Sequence, residues 1–258
     1  MTRFVHLVSL LAVIAVPMVG WFVEDWSGGT TLAVYWFETL VMCLLILARM
    51  VLHRRWTPRR GHFQYVAPSG VRRGSQTSSF LTGFAISSLA FCMAHGVFLG
   101  TILFLLDHNG DRALADVSWR SVGLGCLTVF IFLAVDFLAD LLSLRRWSFW
   151  QIEQTAHRGL GRISVVHLTI VFGLIGVAVT GAPDALFGVF VVLKSLFALG
   201  TALPQWEPAA APGWLSRVMN GIPNVHPGRR FEDLWTEDRA DEIERRERNE
   251  RPWVAARR

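Results

Sequence analysis

The side chains with most chemistry to offer are the ionisable ones set among apolar neighbours: Glu38, His95, Asp136, His167 and Lys194. An ionisable group at membrane depth costs roughly 2.5–3.5 kcal/mol or more on insertion scales, so each needs a partner or a purpose. Counted along its apolar run, Glu38 lies about eight residues from the outer end, His95 about eleven and Lys194 about nine. At ~1.5 Å per helical residue, these three share a layer near the bilayer midplane. Asp136, about six residues above the inner end of its run, and His167, about four above its own, form a second layer. Asp140 follows Asp136 at i,i+4 on the same helix face, within reach of Arg162 or His157 at the inner rim.

These residue types suit three kinds of chemistry. Glu38 and Asp136 as anionic ligands, with His95 and His167 as neutral ones, could hold a divalent metal: zinc, iron, manganese or copper. Alternatively, Asp140, Asp136 and His167 could relay protons or a small ion towards Glu38 and Lys194. The third reading is polar packing in a structural or assembly subunit. Lys194 is the only lysine beside 24 arginines. An ammonium can lose its proton in an apolar site and a guanidinium cannot; equally, Lys194 could lock two spans together as an ion pair with Glu38. No His-Glu-x-x-His, Glu-x-x-His or His-x-x-x-His motif is present. Phe91-x-x-x-His95 fits one element of the CAAX-type intramembrane metalloproteases, but their paired-glutamate motif is missing.

The elements that position these groups are apolar runs. Of 258 residues, 52% are hydrophobic and only 17% charged, against about 45–50% and about 25% in ordinary soluble domains. Six runs fall at about 4–23, 30–51, 80–106, 119–142, 163–179 and 185–203, each near the ~20 helical residues that an ~30 Å hydrocarbon layer requires. The first reads as an uncleaved helix, because Trp21-Phe22-Val23-Glu24-Asp25 offers no A-x-A cleavage site. Cys43, Cys92 and Cys126 lie inside runs as small hydrophobes, which excludes a disulfide scaffold.

Orientation follows from the arginines. One loop carries Arg54, Arg55, Arg59, Arg60, Arg72 and Arg73, and another Arg145, Arg146, Arg158 and Arg162, while the alternate connections are acidic or neutral. Arg-rich short loops stay inside. The expectation is an all-α polytopic bundle of six transmembrane helices in the cytoplasmic membrane, with both termini cytoplasmic. Trp21 and Trp26 are assigned to the outer headgroup level, and Trp56, Trp147 and Trp150 to the inner. Residues 1–203 form the membrane domain and 204–258 a Pro-rich linker and charged tail, helical from about 237 to 251, with ten Arg against ten Asp and Glu. The tail reads as a solvated helix with i,i+4 pairs and leaves room for a soluble partner. The lipid bilayer is the expected partner and nucleic acid is not: the basic excess is orientation signal, and no phosphate-binding loop or dinucleotide fingerprint is present. The oligomeric state is left open.

Several residues in order resemble an uncharacterised prokaryotic integral-membrane family, domain of unknown function 6498. They are Gly20-Trp21, Tyr35-Trp36-Phe37-Glu38, Phe91-x-x-x-His95-Gly96-x-Phe98, Arg162-Ile163 with His167-Leu168-Thr169-Ile170 and Gly173, and Lys194. The resemblance spans about residues 5–200 and implies a helical membrane protein in which Glu38, His95, His167 and Lys194 have special roles. It supplies no reaction. Where relatives tend to show a Ser-His pair in the fourth span, this chain reads Val135-Asp136, an exchange that keeps a metal ligand and proton acceptor.

Overall fold

The computed structural model describes residues 2–68, 79–108, 116–180, 192–193, 195–197, 199–200, 207–222 and 228–254. Its helices are α1 (Thr2–Phe22), α2 (Gly28–Trp56), α3 (Phe80–His108), α4 (Trp119–Leu141), α5 (Phe149–Thr180), α6 (Gly213–Asn220) and α7 (Phe231–Glu250). Short 3-10 turns lie at Arg60–His62 and Leu144–Arg146. Helices α1 to α4 are each long and apolar enough to cross a membrane. The protein is thus an all-α polytopic bundle with four candidate spans among the described residues. The expected sixth run, including Lys194, lies mostly outside them.

Helix α2 is the axle. Half of its most apolar window is buried (50%), against 22%, 22% and 11% for α1, α3 and α4, and it packs against α1, α3, α4 and α5. Ser27 starts it, its hydroxyl accepting from the Thr30 amide at 3.1 Å and so satisfying one of the amides that a helix start leaves without a partner. In turn, Thr30 Oγ1 accepts from the Ser118 amide at 3.0 Å, tying the starts of α2 and α4.

One expectation about the loops needs correction. Arg158 and Arg162 are not in a loop: they lie within α5, which runs unbroken from Phe149 to Thr180. A reciprocal capping box starts it early. The Ser148 amide donates to Gln151 Oε1 at 2.8 Å and the Gln151 amide to Ser148 Oγ at 3.3 Å. Trp26, assigned from the sequence to the outer level, lies inside the bundle and not on its surface. It is buried against Val34 and Val129, and a Cβ on Gly125 would come within 2.7 Å of its ring. The missing side chains of Gly20 and Gly125 make the notch that it fills. Gly125→Val is therefore expected to cost about 1–3 kcal/mol by overpacking, read as a lower melting temperature in detergent; an unchanged melt would contradict the notch.

The tail is docked rather than solvated. It keeps the expected i,i+4 pairs, Arg246 with Glu242 and Arg248 with Glu244. One face, however, is buried against the segment after α2 and the start of α5. The Arg245 guanidinium, 1% exposed, donates to Glu153 at 2.7 and 3.2 Å, to Glu242 at 2.7 and 2.8 Å and to the Val66 carbonyl at 3.1 Å. Asn249 accepts from the Val66 amide and donates to the Val66 carbonyl, both at 3.0 Å. Phe63 stacks on Trp253 at 4.6 Å, and Glu250 accepts from the Phe149 amide at 2.6 Å.

Under that dock lies a buried histidine pair. His53 Nε2 faces the Trp147 carbonyl at 2.9 Å, and His53 Nδ1 faces His62 Nε2 at 2.8 Å. The carbonyl accepts only, so His53 carries its proton on Nε2 and His62 donates from its own Nε2. His62 Nδ1 is then a lone pair, buried with no hydrogen-bond partner. Burial, then the neighbouring His53, lowers the His62 pKa from 6.5 to about 3. A folded pKa below the unfolded one gives stability that is present above pH 6.5 and lost as pH falls towards 3. Amide exchange at Val66 is expected to accelerate across that window, and His62→Gln to flatten the response.

Candidate functional site

Four charged or titratable groups from three helices meet at the end of the bundle that carries α1's start and α2's last turns. His6 comes from α1, Arg49 from α2, and Asp136 and Asp140 from successive turns of α4. His6 Nδ1 lies 2.6 Å from Asp136 Oδ1, and His6 Nε2 lies 3.2 Å from Asp140 Oδ1. On the other side, Arg49 Nη2 donates to Asp136 Oδ2 at 2.9 Å and Arg49 Nε to Asp140 Oδ2 at 2.7 Å. Each carboxylate is thus held between one guanidinium nitrogen and one imidazole nitrogen. Arg49 and Asp140 are nearly closed off (side chains 7% and 9% exposed), whereas Asp136 and His6 are open at 29% and 35%. Phe137 lies against the guanidinium at 5.1 Å, a contact worth about 0.5–2 kcal/mol depending on desolvation.

The arrangement is able to hold a metal ion. Among the described residues, one group of His, Cys, Asp or Glu brings three ligand atoms within 4.8 Å of one another: His6, Asp136 and Asp140. One imidazole nitrogen and two carboxylate oxygens are a donor set suited to zinc, iron or manganese. Arg49 grips the outer carboxylate oxygens and fixes their orientation, as partners behind a metal ligand do. Two carboxylates against one guanidinium leave one negative charge in excess when His6 is neutral, as a metal ligand must be, and that excess favours a cation.

A second ionic layer sits further along α2. Glu38 is 2% exposed and accepts from Arg162 Nη2, while Arg162 Nη1 points at Met42 Sδ at 3.8 Å. Glu38 and Arg49 are eleven residues apart, three turns and about 16 Å along the same face of α2. Between the layers lies a cavity of about 210 Å³, lined by Met42, Leu45, Ile46 and Arg49 of α2 together with residues of α1, α4 and α5, among them His6, Asp136, Asp140 and Arg162. Gly159 permits this approach of α5, since a Cβ there would stand 2.6 Å from Ile46 Cδ1.

Of the residues singled out from the sequence, Asp136 and Asp140 converge. Asp140 reaches Arg49 and His6, whereas Arg162 turns to Glu38 and exposed His157 lies edge-on to Phe80 at 6.3 Å. His95 is buried on α3, with Phe91 at 6.3 Å, and does not line the cavity. His167 belongs to α5, but its side chain, like Lys194, lies outside the described residues, so the Glu38–Lys194 pair and the four-ligand set remain expectations. The Tyr-Trp of the second span has its own work: Tyr35 is buried, and Trp36 Nε1 donates to the Cys92 carbonyl at 3.0 Å. Arg54 stacks over Phe63 and Arg145 over Trp56 at 4.2 and 5.0 Å, and Arg59 pairs with Glu250 at 3.2 Å. Arg60 bonds Gln64, and Arg55 and Arg146 are exposed; Arg72 and Arg73 are outside the described residues.

Sequence reasoning missed His6 and Arg49. Both left a signal: His6 lies as close to the basic end of the first run as Asp140 does to the end of the fourth, and Arg49 breaks an otherwise apolar stretch from Cys43 to Val51.

Together the fold and cluster define a multi-helix membrane protein with a polar, metal-competent site inside the bundle. A family model described as a family of unknown function (DUF6498) matches residues 1–213, and the chain belongs to that family. No curated protein and no solved structure matches it.

Proposed function

We propose that this membrane protein binds a divalent metal ion at His6, Asp136 and Asp140, with Arg49 behind the ligands. The supporting observation is the convergence of three ligand atoms within 4.8 Å beside a cavity. Zinc, iron, manganese or copper is the expected class, and Glu38, His95 and His167 are held as residues of the wider polar column. That column belongs to six spans in the cytoplasmic membrane, with both termini inside. Elemental analysis of purified protein is expected to find about one metal per chain, lost in Asp136→Asn. A substoichiometric trace in the wild type would sink the reading.

A second reading, proton or small-ion passage, draws on the cavity that touches both ionic layers. It expects a proteoliposome flux that Glu38→Gln abolishes, and absence of flux in the wild type removes it.

A further inference from the structure

The cavity carries two donors that the metal reading leaves unused. Ser9, on α1 one turn beyond His6, lines the cavity and is only 3% exposed. A serine at such a position commonly returns its hydroxyl to the carbonyl four residues back. Ser9 has no hydrogen-bond partner among the described residues. Opposite it, α5 contributes Thr155, Arg158, Gly159 and Arg162 to the wall, a stripe at i, i+3, i+4 and i+7. Thr155 returns its hydroxyl to Gln151 O, and Arg162 is taken by Glu38. Among the described residues Arg158 has no hydrogen bond or ion pair.

We infer that this cavity takes an oxyanion of the phosphate class, held between Arg158 and the Ser9 hydroxyl beside the cation at His6, Asp136 and Asp140. The cation part rests on the function proposed above; the anion part rests on Ser9, Arg158 and the cavity. Guanidinium presents paired N–H donors that match phosphate oxygens, and a hydroxyl can donate a further bond. Charge points the same way. A divalent ion turns the local excess at Arg49, Asp136 and Asp140 from one negative to one positive, and Arg158 adds another. An anion in the cavity restores balance. The volume of about 210 Å³ is several times what one water needs, and admits a phosphate group with some hydration.

The test is equilibrium dialysis of labelled inorganic phosphate against the full chain in nanodiscs of neutral lipid, with and without manganese. The wild type is expected to bind one phosphate per chain, about tenfold tighter with manganese. Arg158→Gln and Ser9→Ala are each expected to weaken binding about tenfold, with helicity checked by circular dichroism. A second arm adds phosphatidic acid to the nanodiscs: displacement of the labelled phosphate assigns the site to a lipid headgroup, and no displacement to a free anion. Absence of phosphate binding in the wild type, or binding in both variants as tight as in the wild type, overturns the inference. Phosphate binding that requires Arg158 but ignores manganese keeps the anion site and overturns the metal reading instead.

Discussion

Arg49→Met is expected to destabilise the bundle by about 3–5 kcal/mol, because it strips the buried partner from two carboxylates at once. Asp140 is 9% exposed and would keep only His6. The same substitution deepens the negative charge beside the three ligand atoms. Added zinc or manganese is therefore expected to raise the melting temperature of Arg49→Met more than that of the wild type, since a ligand that binds only the folded state stabilises it by mass action. Thermal melts of both proteins, with metal and with chelator, measure the difference. Destabilisation without metal rescue would make Arg49 a plain packing partner.

The second large effect belongs to the tail. Glu153 and Arg245 are each 1% exposed and joined by two hydrogen bonds. Arg245→Met leaves Glu153 buried and, apart from the Tyr65 hydroxyl, without its donors. The cost is about 3–5 kcal/mol, enough to release α7. Limited proteolysis is expected to cut the tail at once in Arg245→Met and slowly in the wild type. Adding Glu153→Leu should recover much of the loss, because a buried ion pair replaced by apolar residues is often neutral or better. Equal protease resistance of Arg245→Met and the wild type would mean that the dock is held by Asn249 and Trp253 instead.

Much of the membrane fold is legible from composition alone. The first four apolar runs predict α1 to α4 within a few residues, because hydrocarbon thickness sets both helix length and run length. The start of α5 was equally present, in Ser148 and Gln151, but four arginines in the neighbourhood read as a loop. In fact both belong to a helix, from which Arg162 reaches buried Glu38 while Arg158 stays exposed at the rim of the cavity. Which cation meets which carboxylate depends on how helices rotate against one another, and spacing along the chain does not encode that. Asp136 and Asp140 could be paired from their i,i+4 spacing because they share a helix. Their partners His6 and Arg49 come from two other helices, and the 130 residues between His6 and Asp136 carry no periodic signal linking them. Trp26 shows the same limit: its notch requires Gly20 from its own side of the chain and Gly125 from α4.

The tail illustrates a different gap. Its alternating charges fit i,i+4 pairing, and two such pairs are present. Two arginines serve twice, however: Arg245 holds Glu242 at i,i+3 and reaches Glu153 across the dock, and Arg246 holds Glu242 and lies over Trp150 at 3.6 Å. A mixed-sign helix buries a charge when a partner of opposite sign waits on the opposing surface, and only the assembled surfaces reveal Glu153.

The most direct measurement is pulsed electron paramagnetic resonance of manganese bound to the purified full chain. One directly coordinated imidazole nitrogen is predicted, with its coupling abolished by His6→Gln and carboxylate coordination weakened by Asp136→Asn. A nitrogen coupling that survives His6→Gln, or manganese with no imidazole ligand in the wild type, would contradict a metal site at His6, Asp136 and Asp140.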